Sequence, residues 1–60
     1  MTGRQMLKLF IENGWKIDRI NGSHYIVEKG DKTESIPVHT NKELGKGIQH
    51  KLLKRLEEGK

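Results

Sequence analysis

The sequence predicts an α+β fold with the order α-β-β-β-α, a three-stranded antiparallel sheet with both helices on one face. Apolar residues recur every three or four positions near both ends of the chain, as on one side of a helix, and every second position between them, as on one side of a strand. Glycine-containing pairs separate the alternating segments and favour tight hairpin turns. Two amphipathic helices beside such a meander can bury both apolar stripes only on the same sheet face.

The first helix is predicted over residues 3–13. Thr2 and Gln5 have the spacing of a capping box, in which each side chain bonds to a free amide of the first turn. The apolar stripe comprises Met6, Leu7, Phe10 and Ile11. Gly14 then supplies the left-handed conformation that commonly closes a helix.

Three strands are predicted between Trp15 and Val38. Their alternating apolar pairs are Trp15 and Ile17, Tyr25 and Val27, and Ile36 and Val38. A two-residue turn at Gly30-Asp31 would pair Tyr25 with Ile36 and Ser23 with Val38, which turns the second and third pairs toward the core. The uncovered face would then carry His24, Ile26, Glu28, Ser35, Pro37 and His39.

In the first hairpin, the preference of Asn21-Gly22 for a tight turn conflicts with burial of the apolar residues of the first strand. A tight Asn21-Gly22 turn would pair Asp18 with Tyr25 and direct Trp15 and Ile17 away from the core. We expect burial to prevail, which predicts a three-residue loop from Ile20 to Gly22 and pairs Ile17 with Tyr25.

The second helix is predicted over residues 46–57, after a short turn. Thr40 and Glu43 have capping-box spacing, but Gly45 and Gly47 disfavour a helix directly behind them. The apolar stripe of this helix comprises Ile48, Leu52, Leu53 and Leu56. The element order and the uncovered sheet face resemble the double-stranded-RNA-binding-domain architecture, which reads RNA shape and phosphates more than sequence.

Composition limits the range of functions. Sixty residues, 32% of them hydrophobic, allow a single domain, residues 1–60, with a thin core and no deeply enclosed active site. The net charge of +4 favours polyanionic partners, whether nucleic acid, an anionic membrane or an acidic protein. The chain lacks cysteine and any apolar run near the roughly 20 residues that cross a bilayer, so we expect a cytoplasmic protein that does not enter a membrane.

Histidine placement points to one candidate site. His24 opens the second strand on the uncovered face, and His39 follows diagonally on the same face, with Cβ atoms roughly 7 Å apart. Imidazole near neutral pH can remove a 2'-hydroxyl proton or protonate a leaving oxygen, the chemistry of RNA scission. Placement alone leaves both histidines open to an ordinary surface role. His50, within the second helix among basic residues, is expected to be a solvated or phosphate-contacting residue rather than a catalytic one.

Other polar residues have weaker claims to function. Ser23 falls on the core side by parity, although its hydroxyl or amide could hold a phosphate if the strand end frays. The second helix offers RNA-backbone contacts, or merely a solvated face, at Lys46, Lys51, Lys54 and Arg55. Carboxylates are scattered along the meander without metal-ligand spacing, so neither a metal nor another cofactor is expected.

Four short motifs together resemble the HicA toxin family over essentially the whole chain. They are Gly14-Trp15, Gly22-Ser23-His24, Pro37-Val38-His39 and Lys42-Glu43-Leu44. The resemblance implies a fold like the double-stranded-RNA-binding domain and cleavage of messenger RNA, which shuts down translation. It implies a catalytic role for His24, a structural role for Gly22, and a HicB antitoxin that blocks the site and commonly represses the shared operon. Tyr25 departs from the family, which often has a second histidine or another polar residue there.

Three functions remain open on the sequence. The leading hypothesis is a metal-independent endoribonuclease toxin with His24 as general base or acid. The alternative is a non-catalytic module that binds structured RNA with the same charge, and the third is a small partner of an acidic protein with no RNA role.

Overall fold

The computed structural model describes residues 1–39 and 42–58. The elements are α1 (Gly3–Glu12), β1 (Lys16–Asn21), β2 (His24–Lys29), β3 (Lys32–Pro37) and α2 (Lys46–Glu58). The strands form one antiparallel sheet in the order β1-β2-β3, which confirms the predicted α-β-β-β-α fold. The capping-box spacing at Thr40 falls outside the described residues. Within them, neither helix combines the length and apolar character that crossing a membrane would require.

The predicted signals set the limits of α1. Thr2 Oγ1 accepts a hydrogen bond from the Gln5 amide at 3.2 Å, and Gln5 Oε1 accepts one from the Thr2 amide at 2.9 Å, completing the capping box. The helix ends at Glu12, one residue earlier than predicted. Gly14 follows with φ of 93°, the left-handed conformation expected there.

Side chains from both helices meet over one face of the sheet and form the core. Its buried apolar residues are Met6, Phe10, Trp15, Val27, Ile36, Leu52 and Leu56. The rings of Phe10 and Trp15 pack edge to face with centroids 4.9 Å apart. The outer members of both predicted stripes are less buried than expected, since Ile11 and Ile48 are 43% and 45% exposed. The core is therefore as thin as the composition indicates.

The predicted pairing of β2 with β3 is confirmed. Tyr25 pairs with Ile36 and His24 with Pro37, with a two-residue turn at Gly30-Asp31. The Val38 amide donates to the Ser23 carbonyl at 2.7 Å and extends this pairing beyond the strands. Because opposite residues share a sheet face, His24 lies on the face away from the core.

The predicted first hairpin is wrong. Asn21 pairs with His24 across a two-residue Gly22-Ser23 turn, and Ile17 pairs with Val27 rather than Tyr25. A bulge between Ile17 and Arg19 shifts the register by one residue. Such an extra residue reverses the alternation of faces, so a tight turn and an inward-facing isoleucine are compatible after all.

This hairpin leaves β1 as a lightly covered edge. The bulge places Ile17 and Ile20 on the same side as their partners Val27 and Tyr25. Both isoleucines nevertheless stay exposed, at 45% and 55%, so the expected burial of Ile17 is also wrong. Trp15, just before the strand, is buried as predicted.

The first residue of α1 packs directly on the end of β3. A Cβ atom added at Gly3 would overlap the Pro37 carbonyl oxygen and lie 3.0 Å from Val38 Cα. Thr2 forms a β-bridge with Glu43, and the Leu44 amide donates to the Met1 carbonyl at 2.9 Å. The start of the chain is thus held between the end of β3 and the segment before α2.

Replacement of Gly3 by alanine should destabilise the protein. The new methyl group has no room against the backbone of Pro37, and overpacking of this kind costs about 1–3 kcal/mol. Gly47→Ala is the matched control, because its Cβ would meet nothing within 4 Å and alanine favours a helix. Urea unfolding of both variants measures the difference, and a Gly3→Ala protein as stable as Gly47→Ala would refute the close contact.

Candidate active site at the end of the sheet

His24 reaches the surface at the start of β2. The turn before it depends on Gly22, whose φ of 62° is a conformation that glycine adopts readily. Pairing of His24 with Pro37 directs its side chain to the face that the helices leave uncovered, and the residue is exposed. The Gly22-Ser23 turn thus presents an imidazole to solvent.

His39 lies beside His24, as the β2–β3 register predicted. The ring centroids are 6.5 Å apart and the ring planes are inclined at 83°. Among the described residues neither imidazole makes a side-chain hydrogen bond or ion pair, so their nitrogens stay available to a ligand. Two such rings could contact opposite sides of one phosphate group.

A cavity of about 400 Å³ holds both histidines against α2. Its described lining residues are His24, Ser35, Pro37, His39, Ile48, Lys51 and Leu52. Ser35 contributes a hydroxyl group from β3, and Lys51 contributes an ammonium group from α2. The site therefore combines two imidazoles, a cation and a hydroxyl group on apolar packing, a set suited to a phosphate ester.

The four basic residues singled out on α2 occupy different surroundings. Among the described residues that line the histidine cavity, Lys51 is the only one of the four. Lys54 and Arg55 line a neighbouring surface with His50, which Lys51 also borders, and Lys46 is exposed at the first residue of the helix. Only Lys51 of this set thus lies with the histidine pair.

Ser23 lies in the turn rather than in the strand. It is half-buried and lines a second cavity, of about 650 Å³, together with Arg4, Tyr25 and His39. Arg4 was not among the residues singled out from the sequence. The sequence shows that Arg4 is a basic residue in the first turn of α1. Its place beside the site follows only from the tertiary contact between Gly3 and β3.

A buried carboxylate, also missed by the sequence analysis, attaches α2 to the sheet. Glu34 of β3 is 8% exposed, and its Oε2 accepts a hydrogen bond of 2.6 Å from Arg55 Nε. Lys51 Nζ lies 3.8 Å from the other carboxylate oxygen. Glu34 faces the core side because it pairs with Val27. It therefore links α2 to β3 through two basic side chains, one of which is Lys51.

Potential metal ligands are dispersed over the described part of the chain. Residues 1–39 and 42–58 contain no group of three or more histidine, aspartate, glutamate or cysteine side chains placed to hold one ion. The histidine pair thus has no carboxylate completing a ligand set there.

These features define a small basic α+β protein with an accessible site in which imidazole and ammonium groups could bind an anion. The family model of the HicA toxin of bacterial toxin–antitoxin systems matches residues 3–57, and the chain belongs to this family. It is a toxin of a toxin–antitoxin system, and the family implies an antitoxin partner. No curated protein and no solved structure matches the chain significantly.

Replacement of Glu34 by glutamine should weaken the attachment of α2. The amide oxygen can still accept a hydrogen bond from Arg55 Nε, but its attraction to the guanidinium charge is lost. We expect a loss of about 1 kcal/mol, since the Arg55 side chain is 36% exposed. Glu28→Gln is the control, since Glu28 is exposed on the opposite face. Urea unfolding should separate the two variants, and equal stabilities would mean that the ion pair contributes nothing.

Proposed function

We propose that this toxin is a metal-independent endoribonuclease that cleaves messenger RNA, with His24 as its catalytic residue and His39 as a second imidazole. The observation that carries the proposal is the pair of accessible rings with centroids 6.5 Å apart. Residues 1–60 would act as one RNA-cleaving domain in the cytoplasm, where messenger RNA is translated.

The proposed reaction needs one base and one acid. One imidazole removes the proton of a ribose 2'-hydroxyl, and the 2'-oxygen forms a bond to the adjacent phosphorus. The bond from phosphorus to the 5'-oxygen breaks, and the other ring, as imidazolium, protonates that oxygen. The products are a 2',3'-cyclic phosphate and a 5'-hydroxyl end, and the two rings have exchanged protonation states.

The remaining groups of the cavity suit the charge of this reaction. The Lys51 ammonium, which is exposed and 3.8 Å from the Glu34 carboxylate, would turn to offset negative charge on the phosphate oxygens, and Ser35 would offer a hydrogen-bond donor. Lys46, Lys54 and Arg55 would extend a basic surface along α2, although Arg55 already pairs with Glu34. Ser23 and Gly22 would serve the site through the turn that presents His24.

We further propose that the antitoxin is a HicB-type protein that covers the histidine cavity. The cavity lies between the end of β3 and α2, and both of its histidines are exposed, so a partner can reach it from solvent. Binding only to the folded toxin would also add to the stability of this thin domain by mass action.

Substitution of the histidines tests the catalytic assignment. We expect His24→Ala and His39→Ala each to lower kcat/KM for RNA cleavage by about 10²–10⁴-fold, the usual contribution of a general acid or base. His50→Ala, on the exposed surface of α2, should stay within about twofold as the matched control.

The pH dependence of kcat/KM provides a second measurement on the same variants. A base and an acid acting together give a bell-shaped profile of kcat/KM, whereas His39→Ala should retain only one limb. A folded His24→Ala protein that still cleaves RNA would exclude the assignment. A native protein that binds RNA without cutting it would indicate the non-catalytic RNA-binding module instead.

Cleavage should persist in excess EDTA, because the two imidazoles supply both proton transfers. Products should carry 2',3'-cyclic phosphate ends, as mass spectrometry of a short cleaved RNA would reveal. Activity lost on chelation and restored by magnesium, or products with 3'-hydroxyl ends, would contradict the mechanism.

A further inference from the structure

The second cavity, next to the histidine pair, has no role in the chemistry proposed above. It is lined by the first turn of α1, by the Gly22-Ser23 turn and by the end of β3, and its volume is about 650 Å³. Sites for small ligands commonly measure about 300–1,000 Å³. The cavity is therefore large enough for more than a single water molecule or ion.

Its polar groups favour an anion. Arg4 supplies a guanidinium, Tyr25 a phenolic hydroxyl, Ser23 a hydroxyl and His39 an imidazole, and none of the described lining residues is acidic. Within residues 1–39 and 42–58 the side chains of Arg4 and Tyr25 make no hydrogen bond or ion pair. A guanidinium is suited to two-pronged contacts with a phosphate group.

His39 connects the two cavities, because it lines both. A strand of RNA with its scissile phosphate between His24 and His39 would therefore continue from one cavity directly into the other. The neighbouring nucleotide would then lie beside Arg4 and Tyr25.

We infer that the Arg4–Tyr25 cavity binds the RNA nucleotide that adjoins the scissile phosphate, with its phosphate on Arg4 and its sugar or base on Tyr25. This inference rests on the proposed function for the position of the strand. Arg4 and Tyr25 are positioning residues that hold the substrate, and neither takes part in proton transfer.

Binding of an uncleavable RNA tests the site without relying on catalysis. The probes are 2'-O-methyl tetranucleotides of adenosine and of uridine, which lack the attacking hydroxyl group, added to the ¹⁵N-labelled full chain. We expect the amide signals of Arg4, Ser23 and Tyr25 to shift. Arg4→Gln should raise the Kd by about 5–10-fold and reduce its slope against salt concentration by about 0.7, one phosphate contact on single-stranded RNA.

The matched control for charge is Lys8→Gln. Lys8 is exposed one turn further along α1 and does not line the cavity, so the same charge change should alter the Kd by less than about twofold. Tyr25→Phe, which removes only the hydroxyl group, should raise the Kd by about 2–5-fold. In cleavage assays Arg4→Gln and Tyr25→Phe should raise KM and leave kcat nearly unchanged, as expected for uniform binding.

The outcomes separate this site from the proposed function. Equal effects of Arg4→Gln and Lys8→Gln would overturn the inference, since only net charge would matter. Cleavage by the native protein with no amide shifts at the cavity would likewise overturn it and leave the endoribonuclease intact. Arg4-dependent binding by a protein that cleaves no RNA would support the cavity as a nucleotide site and refute the proposed function.

Discussion

The close contact between Gly3 and the backbone of Pro37 and Val38 is the constraint on which the functional end of the molecule depends. A side chain at residue 3 would separate α1 from β3. Because Arg4 follows Gly3 and His39 follows Val38, this contact brings into one region two side chains that are far apart in sequence. The same contact packs the capped first turn of α1 against the end of β3. The second cavity, which α1 and the end of β3 line together, thus depends on the absence of a side chain at residue 3.

Much of this architecture could be predicted from short-range sequence patterns. The capping box, the glycine after α1 and the two-residue turn at Gly30-Asp31 each involve residues close together in the chain, so their geometry follows from residue type. Side-chain parity then placed His24 and His39 on one face, because the β2–β3 register left no freedom once the turn was fixed. The position of the histidine pair was therefore predictable from the sequence, whereas the chemistry proposed for it follows from the family resemblance.

Features that depend on non-local fit were not predictable. The first hairpin was predicted from a choice between a tight turn and burial of Ile17. The bulge after Ile17 instead allows a tight turn with Ile17 on the core side but still 45% exposed, an irregularity that no residue pattern announces. Glu34 was interpreted as one of several scattered carboxylates. Its burial depends on where α2 crosses β3, which brings Arg55 to it from 21 positions along the chain. Arg4 gained its surroundings in the same way, through the packing of α1 on the end of the sheet.

The bulge in β1 also affects how readily the edge of the sheet could pair with a strand of a second molecule. β1 is an edge strand with two exposed isoleucines, a combination that would favour addition of a strand from a second molecule. The bulge interrupts the regular row of amide and carbonyl groups that such a strand would need and increases the local twist. Asp18 and Arg19 add charge at the same point. The bulge that allows the tight turn of the first hairpin thus also makes the open edge of the sheet a poorer template for intermolecular β-pairing and aggregation.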